Sequence, residues 1–201
     1  MGAPTIILIG GGSAAGKTTL AREIEKRGDD VQRLPMDNYY SDVSHMSHEE
    51  IVETNFDDPE WLRWEILHHD LSKISNGEVV RAPSYDFETG KVTSHTTQVG
   101  DCGTLIVEGI WALHDNIIKF GDVTIFVDAD PDTRLIRRIR RDTEERAKSP
   151  EEIIDDFERN VKPMHDIWVE PTKREADIIV NGGYSDVAVD AVLGTTNPTT
   201  N

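Results

Sequence analysis

At 201 residues the chain is long enough for one domain with its own hydrophobic core, and its single cysteine, Cys102, excludes an intrachain disulfide. The 38 Asp and Glu against 21 Lys and Arg leave a net charge of −17. Such a surface repels nucleic acid and anionic membrane, which are bound through cationic patches. The apolar run Thr5–Gly10 is far shorter than the ~20 residues that span a bilayer and lacks the flanks of a signal peptide, so a cytoplasmic protein is expected. The basic residues are 8 Lys and 13 Arg. Low Lys with abundant Asp leaves two readings, an ordinary acidic protein or one adapted to high salt.

In chain order, Thr5–Ile9 is a continuous apolar strand ending in glycines, Gly16–Lys26 a helix and Val31–Met36 a second strand. Pro59–Ile74 carries Trp61, Trp64, Leu67 and Leu71 at helical spacing. Glu78–Ala82 and Lys91–Gln98 read as an antiparallel excursion turning at Gly90, within an insertion spanning about 77–99. Thr104–Val107 and Val123–Val127 are buried-type strands, Asp132–Asp142 a charged helix and Glu151–Glu170 a longer one. Asp177–Val180 is the last strand, stopped by Gly182 and Gly183, and Gly194–Asn201 reads as a disordered tail after a single domain, 1–193. Strands alternating with helices predict an α/β fold, a parallel sheet covered on both faces.

The first strand runs into Gly11-Gly12-Ser13-Ala14-Ala15-Gly16-Lys17-Thr18-Thr19, and a helix follows. This is the phosphate-loop pattern in its strand–loop–helix setting, which identifies a P-loop nucleoside triphosphate binder. Glycines let backbone N–H groups turn inward around an oxyanion, and the helix N-terminus adds its dipole. Lys17 is expected to reach the terminal phosphates and the Thr18 hydroxyl to ligate Mg²⁺.

Glu108 ends the strand Thr104–Val107. It is either the acidic partner of that metal or simply a polar strand end. Asp37 follows the second strand, at the edge where open parallel sheets bind ligands. It either orients an acceptor hydroxyl or is an Asx-turn aspartate. Six of the 13 arginines lie between Arg134 and Arg146. Arg134, Arg138 and Arg141 share one helical face, while Leu135, Ile136 and Ile139 are expected to pack inward. The charged stretch about 142–150 then reads as a lid over phosphates, or as a surface helix paired with Glu144 and Glu145.

With these residues in hand, the chain resembles the uridine (uridine–cytidine) kinases, within the phosphoribulokinase/uridine kinase group of P-loop kinases. The resemblance covers about residues 5–183. Beside the phosphate loop it rests on Asp37-Asn-Tyr-Tyr40, Asn55-Phe-Asp-Asp-Pro59, Pro83-Ser-Tyr-Asp-Phe87, Val107-Glu-Gly-Ile110, the arginine helix, and Lys162-Pro-Met-His165 followed by Val169–Asp177. It implies ATP (or GTP) and Mg²⁺ held by Lys17, Thr18 and Glu108. It implies Asp37 as the residue that activates a 5′-hydroxyl and Asp57 as the carboxylate gripping ribose hydroxyls. Tyr40, Phe56, Tyr85, Phe87 and Ile110 would line the nucleoside pocket, Arg138 and Arg141 would lie near acceptor and phosphates, and Arg146 would begin the lid motif. The implied reaction makes a pyrimidine ribonucleoside 5′-monophosphate, a salvage step, in an enzyme often tetrameric.

The chain departs from the family at the base-reading edge, where a histidine and an arginine are replaced by Gly90 and Val92. Ala147 and Lys148 replace the lid's Gly and second Arg, and Asp156 stands for a pocket glutamine. Three readings follow: a ribonucleoside kinase, a kinase of the same fold for a phosphopentose or another small alcohol, and a nucleotide-dependent switch without acceptor. The aromatic and acidic residues between the second and third strands favour an acceptor pocket over the switch.

Overall fold

The computed structural model describes residues 2–146, 148–182 and 185–196. Five strands form one parallel sheet: β1 (Thr5–Gly11), β2 (Val31–Pro35), β5 (Thr104–Glu108), β6 (Val123–Asp128) and β7 (Ile178–Asn181), in the order β2-β5-β1-β6-β7. Strands buried on both faces need apolar residues at every position, and in β1 Ile6, Ile7, Leu8 and Ile9 are all at most 1% exposed. Successive side chains point to opposite faces. Ile7 and Ile9 meet α1 (Lys17–Arg27) and α7 (Asp186–Thr196), while Ile6 and Leu8 join the larger cluster containing Leu67 and Leu71 of α3 (Trp64–Ile74). The expected α/β architecture is thus present. No helix among the described residues is long and apolar enough to cross a membrane.

Several boundaries differ from the sequence reading. The segment expected as one helix over Pro59–Ile74 is a 3₁₀ turn, Pro59–Trp61, followed by α3. Leu62 between them is extended and bridges to Tyr40, because Arg63 turns its backbone N–H onto the Tyr39 carbonyl. A short α2 (His48–Glu53), started by a Ser47–Glu50 capping box, was not anticipated. The insertion is a separate antiparallel pair, β3 (Val80–Asp86) and β4 (Lys91–Val99), turning at Gly90. The long helix expected over Glu151–Glu170 is α5 (Pro150–Asp156), then π-helical turns at Phe157–Val161 and His165–Val169 around a short α6 (Lys162–Met164). α7 takes in Gly194–Thr196 of the expected tail; residues 197–201, like Gly183, lie outside the described residues.

Candidate active site

The sheet's C-terminal edge carries the site because parallel strand ends open onto one crevice. β1 runs two residues further than expected, and Gly11 still pairs with Val127 of β6. Gly11 has φ 131°, and a Cβ there would lie 2.3 Å from the Val127 carbonyl oxygen, so only glycine fits. The chain then turns through Ala14 (φ 61°) and Gly16 (φ 113°) into α1. Lys17 folds back across this loop and donates from Nζ to the Gly12 carbonyl at 2.9 Å. It is buried, and burial lowers its pKa to about 8, against the pull of the Glu108 and Asp37 carboxylates. Thr19 lies exposed on α1.

Register places Glu108 beside Ile9 of β1 and Pro35 of β2. The Glu108 carboxylate, 5% exposed, accepts from the Thr18 hydroxyl at 3.0 Å on Oε2 and from Arg33 Nη1 at 3.1 Å on Oε1. A hydroxyl that spends its proton on Glu108 keeps its lone pairs for a cation, and both atoms are hard oxygen donors that suit Mg²⁺. Among the described residues no three His, Cys, Asp or Glu gather as an all-protein metal site. Arg33 was not anticipated; the signal was an arginine mid-strand on an edge strand, and its other partner is Glu25 at 3.4 Å.

Asp37 sits in a 3₁₀ turn, Met36–Tyr39, immediately beyond β2. Arg63 Nε donates to the Tyr40 carbonyl at 3.1 Å, and the Tyr39 hydroxyl donates to Asp70 Oδ2 at 2.9 Å, so both sides of the turn are tied down. The Asp37 side chain is exposed at the open side of the cleft, but protein surrounds it closely enough to weaken its hydration. Burial first, and Glu108 second, raise its pKa to about 6, against Lys17, Arg146 and Arg141. The turn itself is closed by the Tyr40 backbone N–H donating to the Asp37 carbonyl at 3.4 Å. Lys17, Glu108 and Asp37 therefore share one electrostatic environment.

The acceptor side is an aromatic wall. Tyr85 and Phe87 of the hairpin meet edge to face at 5.0 Å, and Tyr40 lies 5.9 and 6.2 Å from them. Trp111, missed in the sequence reading, backs Tyr40 at 6.0 Å. Phe56 is not in this cluster: its ring packs on Trp61 at 5.3 Å, and only its carbonyl, accepting from the Tyr40 hydroxyl at 3.1 Å, belongs to the wall. Asp57, Ile110 and Ser13 line a narrow crevice beside it. Burial raises the Asp57 pKa and the Arg138 guanidinium opposes that. Gly90 holds φ 64°, and a Cβ there would meet Val43 at 2.7 Å, so this turn packs on its neighbour and offers no base-reading side chain.

The arginine helix α4 (Pro131–Arg146) reverses one expectation. Ile136 is 50% exposed, and the buried face carries Arg134, Arg138 and Asp142. Three of its arginines brace the phosphate loop. Arg134 lies so close under Gly12 that a Cβ there would meet Nη1 at 2.6 Å; Arg137 donates to the Ala15 carbonyl at 2.9 Å; Arg138 donates to Ser13 Oγ at 2.8 Å and to Asp156 at 2.7 Å. The carboxylates that meet Arg138, Arg141 and Arg146 are Asp142 and Asp156, not Glu144 and Glu145. The segment expected as a lid comprises the end of α4 at Arg146, Lys148, and the Ser149-capped start of α5; Ala147 is outside the described residues. Arg146 reaches across the cleft to lie 5.5 Å from the Phe87 ring.

A phosphate loop on β1, an acidic strand end on β5 and an arginine helix over an acceptor cleft define a P-loop kinase fold. Residues 6–188 match the model of the phosphoribulokinase/uridine kinase family. A uridine kinase of Staphylococcus epidermidis is 42% identical over 194 residues, 94% of each chain. The chain belongs to the phosphoribulokinase/uridine kinase family. Two solved structures share the fold. One, described as a possible uridine kinase from Bacillus stearothermophilus, has TM-score 0.62 and 22% identity over 90% of each chain. The other, a D-glycerate 3-kinase from Cryptococcus neoformans, has TM-score 0.66 and 16% identity over 90% of this chain and 87% of that one.

Proposed function

We propose that the protein transfers the terminal phosphoryl group of ATP to the 5′-hydroxyl of a pyrimidine ribonucleoside, uridine or cytidine, in nucleotide salvage. The observation that carries this reading is the convergence of Lys17, Glu108 and Asp37 between the phosphate loop and the aromatic wall. Phosphoryl transfer needs positioning and charge stabilisation more than covalent chemistry. Lys17, with Arg141 and Arg146, would meet phosphate charge from two sides of the cleft. Thr18 and Glu108 would hold Mg²⁺, which supplies charge neutralisation between phosphate oxygens when bound. Asp37 would accept the hydroxyl proton, its raised pKa making it a better base than an ordinary aspartate. Asp57 would grip ribose hydroxyls, and Tyr40, Tyr85 and Phe87 would stack on the base. We carry with this reading a cytoplasmic setting and a homo-oligomer, the latter testable by light scattering.

Gly90 favours keeping a second acceptor class in view, since the turn presents no side chain to read a base. A panel of ribonucleosides, pentose phosphates and small alcohols, each with ATP and Mg²⁺, read by product mass, tests both. Uridine or cytidine monophosphate as the major product supports the first; a phosphorylated sugar or alcohol supports the second. ADP release that ignores every acceptor would overturn both in favour of a nucleotide switch.

A further inference from the structure

The motif Lys162-Pro-Met-His165 has no role in the scheme above, yet His165 stands at the crevice shared by Ser13, Asp57 and Ile110. Its side chain is 11% exposed, and Nε2 lies 3.2 Å from Glu170 Oε2. A carboxylate can only accept, so Nε2 carries the ring proton. Glu170 is itself held by Lys173 at 3.5 Å, and Lys173 by Asp128 at 2.7 Å, so the ring is oriented by a chain of charges anchored on β6. Burial and the nearby Arg134 cation lower the His165 pKa, against the pull of Glu170 and Asp166, which favours the neutral ring. Nδ1 is then an acceptor. It is shut off from solvent and meets no hydrogen-bonding partner among the described residues. A buried polar atom without a partner calls for an explanation. One π-helical turn, Phe157–Val161, precedes it, and His165 itself opens a second, His165–Val169, a geometry found chiefly as bulges at functional sites.

We infer that His165 is a specificity-determining residue, its Nδ1 accepting a hydrogen bond from one hydroxyl of the ribose diol that Asp57 also holds. The inference rests on the ribonucleoside reading and deepens it. The crevice is narrow and mostly apolar, with Ser13, Asp57 and His165 as its three polar lining residues, whereas the flat aromatic surfaces suited to a base lie on the hairpin side. A hydroxyl is the substrate group that fits: it donates to Nδ1 and still accepts elsewhere. A site built to hydrogen-bond a hydroxyl rejects the analogue lacking it.

The test compares uridine, 2′-deoxyuridine and 3′-deoxyuridine on the wild type, His165→Leu and His165→Asn. Leucine removes the acceptor, and asparagine returns an amide oxygen near the position of Nδ1. The expected result is that His165→Leu raises the KM for uridine about tenfold, changes kcat and the KM for ATP less than twofold, and leaves one deoxy analogue within twofold of its wild-type value. His165→Asn should recover most of the discrimination. If His165→Leu weakens uridine and both deoxy analogues by the same factor, or leaves all three unchanged, the inference is overturned while the kinase reading stands. A wild type that phosphorylates no ribonucleoside overturns the kinase reading first and this inference with it, so the two failures are told apart.

Discussion

The two walls of the cleft are built on different principles. The phosphate wall is one short segment, Gly11–Thr18, fixed by backbone geometry: a glycine jammed against the Val127 carbonyl, a lysine on the Gly12 carbonyl, and α4 arginines beneath. The acceptor wall gathers Tyr40, Asp57, Tyr85, Ile110 and His165 from segments distant in sequence, joined by ring contacts and side-chain hydrogen bonds. Backbone-defined sites bind a universal group and tolerate little change. Side-chain-defined sites can change what they select while the chemistry stays. The departures at Gly90 and Val92 fall, accordingly, on the acceptor side.

Substitutions on the phosphate wall should therefore abolish turnover, and those on the acceptor wall should mainly redirect it. The largest expected effect is Lys17→Ala, which removes the loop's own cation; turnover should fall by about 10²–10³ or more. Its melting temperature should stay close to wild type, because burying a cation whose pKa is already lowered gives the fold little. Gly11→Ala should instead lose both activity and stability, since its Cβ would strike backbone. Circular dichroism melts beside an ADP-release assay separate the two, and unchanged turnover in Lys17→Ala would sink the kinase assignment.

Next in size is the contrast between two carboxylates. Asp37→Asn should lower kcat by about a hundredfold with little change in acceptor KM, since a group acting on the attacking hydroxyl works chiefly in the transition state. Asp57→Ala should mainly raise acceptor KM. Asp37→Asn should also raise the melting temperature at neutral pH. A carboxylate whose folded pKa lies above its unfolded value loses the fold stability as pH rises from about 4 to about 6, and the amide escapes that loss. The same kinetic pattern in both variants would show the roles to be wrongly divided.

The parallel sheet and the phosphate loop were legible in the sequence because each is a local signal, apolar runs, glycine spacing and a helix start, whereas the order of the strands is set by long-range pairing and was not read from it. Glu108 was legible because a strand end fixes where its side chain opens. What was not legible depended on partners far away in the chain. Nothing in the spacing of Ile136 and Arg134 says that the arginine faces inward; the buried face is set by the phosphate loop it must brace. Helical spacing carried Trp61 and Trp64 into one predicted helix, but Arg63 breaks it by bonding to the Asp37 turn. The family resemblance implied a pocket role for Phe56, and its ring packs on Trp61.

A smaller effect, on both walls together, is the pH profile. Asp37 must be ionised and Lys17 protonated for their assigned work. In the free enzyme kcat/KM should therefore fall below about pH 6, where Asp37 takes a proton, and above about pH 8, where Lys17 loses one. In kcat the alkaline limb should move upward, because bound triphosphate charge holds the Lys17 proton. Asp37→Asn should erase the acid limb alone. An acid limb that persists unchanged in that variant would assign it to another group.

The smallest expected effect lies outside the cleft. A charge of −17 makes the surface repel itself, which disfavours the compact state. The Debye length is ~8 Å at physiological ionic strength and ~3 Å at 1 M, so molar salt nearly silences that repulsion. Salt also weakens attractive surface pairs such as Arg27 with Glu23, but acidic residues outnumber basic ones 38 to 21, so repulsion is the larger loss. The cleft is different: Lys17, Arg134 and Arg138 are buried and act at contact distance, where ions screen little. The melting temperature should accordingly rise from low to molar KCl while turnover at saturating ATP persists or rises. Melts by circular dichroism across that series, paired with rates, decide the matter. A melting temperature that falls with KCl, with activity lost above a few tenths molar, would identify an ordinary acidic kinase whose surface carries no adaptation to salt.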